Sequence, residues 1–380
     1  MSGEYLGLPK FHTEKKVGLG EDAEPIGFKV EPVGDVLGVF DGMGGAGAIQ
    51  VPAENEMGTC TMAKLASKTA AEETAKIFLQ WGNANISSLK QVIERAVVGR
   101  LQSLANRQGG RGPDPRIRGT ILAEYPTTVA IAVVRASKES ALEQNVKVLW
   151  AGDSRVYFLD PDRLVPLQAI TRDHTEAGSG GDGALSRYAS AKGLMLEERD
   201  YRIPSGAVVI AMTDGCFGYW SHFRLMYTMI DQILRSHDFS EWLNRLRHQI
   251  MKVAQDDSSL AISSSGLDFE VLKAKLEPRF EQITTLTNIP ETKPVNPFVL
   301  LHNDEQYFEF LNNDEEERAN AVTPRTGIER VESLSLESSA ELPSSPQPVE
   351  ILRTPNRDTD DPASLGTDVR GISAKRATDR

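Results

Sequence analysis

Apolar positions along this chain follow two distinct periods. Short β-branched or continuous apolar runs occupy residues 36–40, 127–134, 146–150, 156–159, 164–170, 207–212 and 260–262. Runs of that length, punctuated by Gly, Pro, Asp and Ser, predict buried strands. The second pattern has a helical period. Leu89, Val92, Ile93, Ala96, Val97, Leu101 and Leu104 recur on one face, and Trp242, Leu246, Ile250 and Val253 do the same. Residues 223–234 share that spacing, the Ala-rich stretch 59–81 favours helix by propensity, and 269–283 fits one more amphipathic helix. Ser88 and Gln91 have capping-box spacing just ahead of the second helix.

The order of these elements predicts an α+β fold. Strands joined by tight turns between 127 and 170 indicate an antiparallel meander, and two successive helices suggest a layer over one side of a sheet. The connection Gly152-Asp153-Ser154 predicts a hairpin with Asp153 at its tip. The pattern lapses between His174 and Leu196, where Gly178, Gly180, Gly181, Gly183 and Gly193 predict a long mobile loop, of the kind that is either functional or disordered. Residues 107–115 read as an exposed loop. Three regions are expected: a globular domain over 1–265, a helical, docked extension over 266–311, and a Ser/Pro/acid-rich disordered tail over 312–380. Within that tail, Thr323 and Thr354 each lie beside Pro and Arg and are candidate phosphorylation sites.

Composition narrows the function. A net charge of −12 over 380 residues gives no basic stripe for nucleic acid. Two cysteines, Cys60 and Cys216, are too few for a disulfide framework and read as reduced thiols. No run reaches transmembrane length, and residues 1–5 lack a signal peptide's character. A cytoplasmic monomer that binds neither nucleic acid nor membrane is expected.

The acids gain meaning once set against the strands. Asp41 and Asp214 each end an apolar run, Asp153 follows one, and Asp256 precedes the last. In antiparallel pairing the end of one strand lies beside the start of its neighbour, so all four can gather at one edge. Like charges that close together need cations. Carboxylate and carbonyl donors, with no Cys or His among them, favour Mg2+ or Mn2+ over zinc. His174 alone among the six histidines lies near a motif.

In chain order these residues form a set: Glu21-Asp22, Asp41-Gly42-Met43-Gly44-Gly45, Thr127-Thr128, Gly152-Asp153-Ser154-Arg155, Asp173-His174, Thr213-Asp214-Gly215 and Asp256-Asp257-x-Ser259. That set resembles the metal-dependent PP2C (PPM) protein phosphatase family, and the Met43 form of the glycine motif resembles its bacterial branch. The resemblance spans about residues 15–262. It implies a four-layer α/β/β/α sandwich of two antiparallel sheets flanked by helices, with Mn2+ or Mg2+ at one end. Carried over by position, Asp41 would bridge two ions and Gly42 would give its carbonyl. Asp214 and Asp256 would hold one ion, Glu21 and Asp22 the other, directly or through water. Asp153 would serve a third, weaker ion.

The activity so implied is hydrolysis of phosphoserine and phosphothreonine in proteins by a water bridging two ions, with Asp41 and Asp214 at its centre. Phosphoprotein substrates and a Ser/Thr kinase are the implied partners. The chain departs from the family pattern in places. Val17 stands where the family carries a phosphate-gripping arginine, with Lys15 and Lys16 beside it as candidate phosphate ligands lacking the bidentate fork. Gly20 replaces a common Asn, and so does Asp257. Met43 has no proton to give a leaving oxygen. The missing arginine is the basis of an alternative, a catalytically weak regulator that binds a kinase or signalling partner.

Overall fold

A computed structural model of the chain describes residues 6–53, 58–80, 88–107, 124–163, 165–175, 184–264 and 266–286. The chain opens with strands β1 (Leu6–Gly7), β2 (Lys10–Thr13), β3 (Ile26–Val30) and β4 (Gly34–Val39). A ribbon of β5 (Gln50–Pro52) and β6 (Thr59–Thr61) leads into helices α1 (Met62–Gln80) and α2 (Leu89–Arg107). Strands β7 (Val129–Ala136), β8 (Glu143–Ala151), β9 (Arg155–Leu159), β10 (Leu167–Ala169), β11 (Glu197–Pro204) and β12 (Val208–Met212) follow. A single turn of helix, α3 (Asp214–Phe217), precedes α4 (His222–Leu234) and α5 (Phe239–Val253). Strand β13 (Ser258–Ser263) and helix α6 (Phe269–Leu286) complete the described chain.

The strands pair into a six-stranded sheet, β1-β3-β4-β7-β8-β11, and a five-stranded sheet, β10-β9-β12-β13-β2. Each pairing in both is antiparallel. The period of two along each strand explains the layering. On the first sheet Val36, Val129, Ile131, Val133 and Leu149 pack with Leu65, Ile77, Phe78, Ile93 and Val97 of α1 and α2. Its other face presents Leu37, Val39, Ala130, Ala132, Val148 and Trp150 to Val156, Phe158, Val209, Ala211 and Ala261 of the second sheet. The far face of that sheet, with Tyr157, Val208, Ile210 and Ile262, meets Leu225, Met229, Trp242 and Leu246 of α4 and α5 and Leu272 and Leu276 of α6. These are four layers, α/β/β/α. Strands covered on both faces lose the alternation of a half-exposed sheet, which is why they read as continuous apolar runs.

The structure departs from the sequence expectations in several places. Strands β8 and β9 do not form a hairpin, because β8 pairs with β7 and β11 while β9 pairs with β10 and β12. Gly152-Asp153-Ser154 is therefore the point where the chain crosses from one sheet to the other. Strand β11 falls between the glycine-rich stretch and the run 207–212, where no element is expected, and its Glu-Glu-Arg-Asp-Tyr-Arg opening hides it. As the edge of the six-stranded sheet it presents charge to solvent. Helix α1 begins at Met62, since Thr59–Thr61 pairs with β5. Helix α6 is fastened by Lys273, whose Nζ donates to the Ser236 carbonyl at 2.9 Å. Arg107, expected to open a loop, ends α2; the rest of that loop (108–115), most of the glycine-rich loop (176–183), the rest of the extension and the tail with Thr323 and Thr354 lie outside the described residues.

Candidate metal centre

The Asp41 backbone is fixed before its side chain is considered. Its N–H donates to Thr128 Oγ1 at 3.3 Å, and its carbonyl accepts from the Thr128 N–H at 2.8 Å and Thr127 Oγ1 at 2.7 Å. The paired threonines thus lock the end of β4 against the start of β7. Beyond Asp41, Met43 N–H donates to the Pro126 carbonyl at 3.2 Å. Gly42 makes room for two further segments: a Cβ there would lie 2.4 Å from the Glu21 carbonyl oxygen and 2.9 Å from that of Ala63. No side chain fits.

The second group of acids is delivered by β12 and β13. Thr213 N–H donates to the Ser259 carbonyl at 3.0 Å, and Asp214 then opens α3. Ser259 N–H donates to Thr213 Oγ1 at 2.9 Å, so the hydroxyl's own proton goes to Asp22 Oδ2, also at 2.9 Å. Asp22 is buried, Glu21, Asp41, Asp153 and Asp214 are half-buried, and Asp256 is exposed, so the acids range from the interior to the surface. Asp257 has a different task. Its Oδ1 accepts the Lys15 N–H at 2.8 Å, and its Oδ2 accepts the N–H groups of Glu21 and, at 3.4 Å, Asp22. A carboxylate offers acceptors on both oxygens; the Asn of the resembled pattern offers one oxygen and a donor. Here the residue pins the loop that carries Glu21 and Asp22.

The electrostatics follow from burial and crowding. Burial pushes Asp22 and Asp41 well above the usual carboxylate range, and the Asp214 charge raises both further. Burial also raises Asp214 and Glu21, and it takes Asp153 to about 8, with Asp214 and Asp173 adding to the shift. The charges of Asp22 and Asp214 both bear on Asp41 and add to its upward shift.

Among the described residues no three His, Cys, Asp or Glu side chains already stand as a closed cage for an ion. The donors nonetheless fit a hard divalent cation. They are carboxylate oxygens from five segments with a glycine carbonyl nearby, and Asp153 Oδ1 is buried with no hydrogen-bond partner. Burying a lone carboxylate oxygen is costly unless something positive meets it.

The lysines are placed less simply. Both Lys15 and Lys16 are exposed, and Lys15 Nζ is engaged by the Gln255 carbonyl. Val17 projects fully into solvent on the same loop, which Lys64 braces through Glu14 (3.3 Å) and the Gly18 carbonyl (3.2 Å). Sequence reasoning missed Tyr219. This half-buried phenol follows α3, and burial together with the charges of Asp256 and Asp214 pushes it up to about 12. It remains a neutral hydroxyl near the acids, and nothing in the local pattern Gly-Tyr-Trp signals it.

No protein-family model matches the chain, and no curated protein matches it. The fold is similar to solved bacterial phosphatase structures. A bacterial serine phosphatase shares 16% identity at a TM-score of 0.49, covering 70% of this chain and 98% of its own. The serine/threonine phosphatase Stp1 from Staphylococcus aureus shares 14% at 0.48, covering 70% and 99%. The catalytic domain of the serine/threonine phosphatase PstP, in complex with two manganese ions, shares 17% at 0.44, covering 68% and 97%.

Proposed function

We propose that this protein is a metal-dependent phosphatase that hydrolyses phosphoserine and phosphothreonine in proteins. The observation that carries the reading is the convergence of Asp22, Asp41 and Asp214, three acids far apart in sequence: Thr213, next to Asp214, holds Asp22, and the charges of Asp22 and Asp214 both bear on Asp41. The order of the seven motifs along the chain supports it, and so does the all-oxygen donor set.

On this reading Glu21, Asp22, Asp41, Asp153, Asp214 and Asp256, with the Gly42 carbonyl, hold Mn2+ or Mg2+. Bound ions of this kind acidify a water for in-line attack on phosphorus and offset the charge that develops there. The chain's own residues do the rest. Thr213 turns one Asp22 oxygen toward β12, Thr127 and Thr128 fix Asp41, and Asp257 holds the Glu21–Asp22 loop in register. Lys15 and Lys16 raise the positive potential at the rim and draw phosphorylated side chains toward it. Phosphoproteins and the Ser/Thr kinases that modify them are the proposed partners. No helix among the described residues is long and apolar enough to cross a membrane.

The test is turnover of phosphothreonine and phosphotyrosine peptides with and without Mn2+. The wild type should cleave the phosphothreonine peptide only with Mn2+, and Asp41→Asn and Asp214→Asn should each lose about 1000-fold or more. Undiminished turnover in either variant would end the assignment. Absence of both turnover and divalent-ion binding at the acids would favour the regulator that binds a signalling partner.

A further inference from the structure

The crossing between the two sheets is held by a residue the proposed chemistry does not use. Gly152, at the end of β8, has φ of +112°, and a Cβ there would lie 2.6 Å from Thr128 Cβ. Its backbone is gripped from both sides by residue 174. The His174 N–H donates to the Gly152 carbonyl at 3.0 Å, and the Gly152 N–H donates to His174 Nδ1 at 3.2 Å. A nitrogen that accepts carries no proton, so the ring proton sits on Nε2, which lies 3.1 Å from Glu197 Oε2. Glu197 begins β11, directly across from Trp150 of β8, and its Oε1 accepts from Arg199 Nε and Nη2 at 3.0 and 2.7 Å. The imidazole also stacks on Trp150, with centroids 5.7 Å apart and planes 16° from parallel. The ring is therefore fixed in tautomer, tilt and position.

Asp153 is the next residue after the gripped glycine, and its Oδ1 is the buried oxygen without a hydrogen bond. From this juxtaposition we propose that His174, oriented by Glu197, is a positioning residue that aims the Asp153 carboxylate into the metal centre. Occupancy of the ion at Asp153 then depends on a hydrogen bond made to the neighbouring glycine. The proposal rests on the reading of the acids as divalent-cation ligands. It also explains why the Asp173-His174 pair belongs with the acids although neither residue is one of the ligands.

Two amide replacements separate positioning from packing. In His174→Asn the side-chain oxygen falls near the place of Nδ1 and can accept the Gly152 N–H. In His174→Gln the amide reaches only the place of Nε2. Calorimetric titration of the full chain with Mn2+ should show the weakest ion nearly unchanged in His174→Asn. In His174→Gln it should weaken by about tenfold or more, with the tighter ions unaffected. In metal-free protein, hydrogen exchange of the Gly152 amide should be slow in the wild type and in His174→Asn, and faster in His174→Gln. If both replacements lose the weak ion equally, or both keep it, the positioning role is wrong while the metal centre stands. A wild-type chain that binds no Mn2+ would overturn the phosphatase reading and this proposal together.

Discussion

The seam between the sheets and the acid-lined end of the same sheets are built from the same strands under opposite rules. In the seam, Leu37, Val39, Ala130, Ala132, Val209 and Ala211 are fully buried among apolar neighbours. A few residues further along those strands, Asp41 and Asp214 crowd other carboxyls, and burial works against their charge. Apolar burial contributes about 1.5–3 kcal/mol for each large side chain, whereas crowded carboxyls in a low dielectric oppose folding unless protonated or met by a cation. The seam therefore holds in place an arrangement that would otherwise spring apart. Stability is concentrated in one region so that reactivity can be concentrated in the next.

The largest expected effect breaks the seam. Leu37→Ala should cost about 2–5 kcal/mol of stability, read from denaturant unfolding of the metal-free protein, because the facing sheet cannot close over the cavity. A loss under about 1 kcal/mol would show that the seam is not what restrains the acids. A smaller effect is expected from Asp257→Asn, which turns a donor toward one of the backbone N–H groups that Asp257 accepts. It should cost about 1–3 kcal/mol and weaken Mn2+ binding, whereas Leu37→Ala should leave Mn2+ affinity near normal in the folded fraction. Equal Mn2+ affinity in Asp257→Asn and wild type would remove Asp257 from any role in setting the site.

The smallest effect is a slope. Asp153 is raised from 3.8 to about 8, and Asp22 and Asp41 are raised as well. Between those values the folded chain binds more protons than the unfolded chain, so stability declines as pH rises through the window. The melting temperature of chelator-treated protein should fall from about pH 6 to about pH 8.5, and saturating Mn2+ should flatten the fall. A melting temperature that rises over that range without metal would contradict the crowding described here.

Much of this contrast is legible in the chain. The run 36–40 and the run 207–212 announce doubly covered strands, and the acids at their ends announce the convergence. What the sequence hides is long-range and polar. Glu197 and His174 are 23 residues apart, on opposite sides of a glycine-rich stretch, and only the pairing of β11 with β8 brings them together. Asp257 reads as an ordinary neighbour of Asp256 until its oxygens are seen to accept backbone N–H groups from the other end of the chain. The hairpin expected at residues 152–154 fails for a related reason. Local turn chemistry is the same whether the chain folds back within a sheet or steps across to another, and only the partners of β8 and β9 decide which.

Strand β11 carries a consequence for how copies of the protein behave in a crowd. Among the described residues it is an edge strand of the six-stranded sheet, and Glu197, Glu198, Arg199, Asp200 and Arg202 make that edge a poor template for another strand. Lys147 of β8 binds Glu198 and Asp200 at 2.8 and 2.9 Å, so part of this charge is already committed to the neighbouring strand. Glu197 is committed to the imidazole. Resistance to polymerisation and the fixing of His174 thus meet at Glu197, and a change made there for solubility would also release the imidazole.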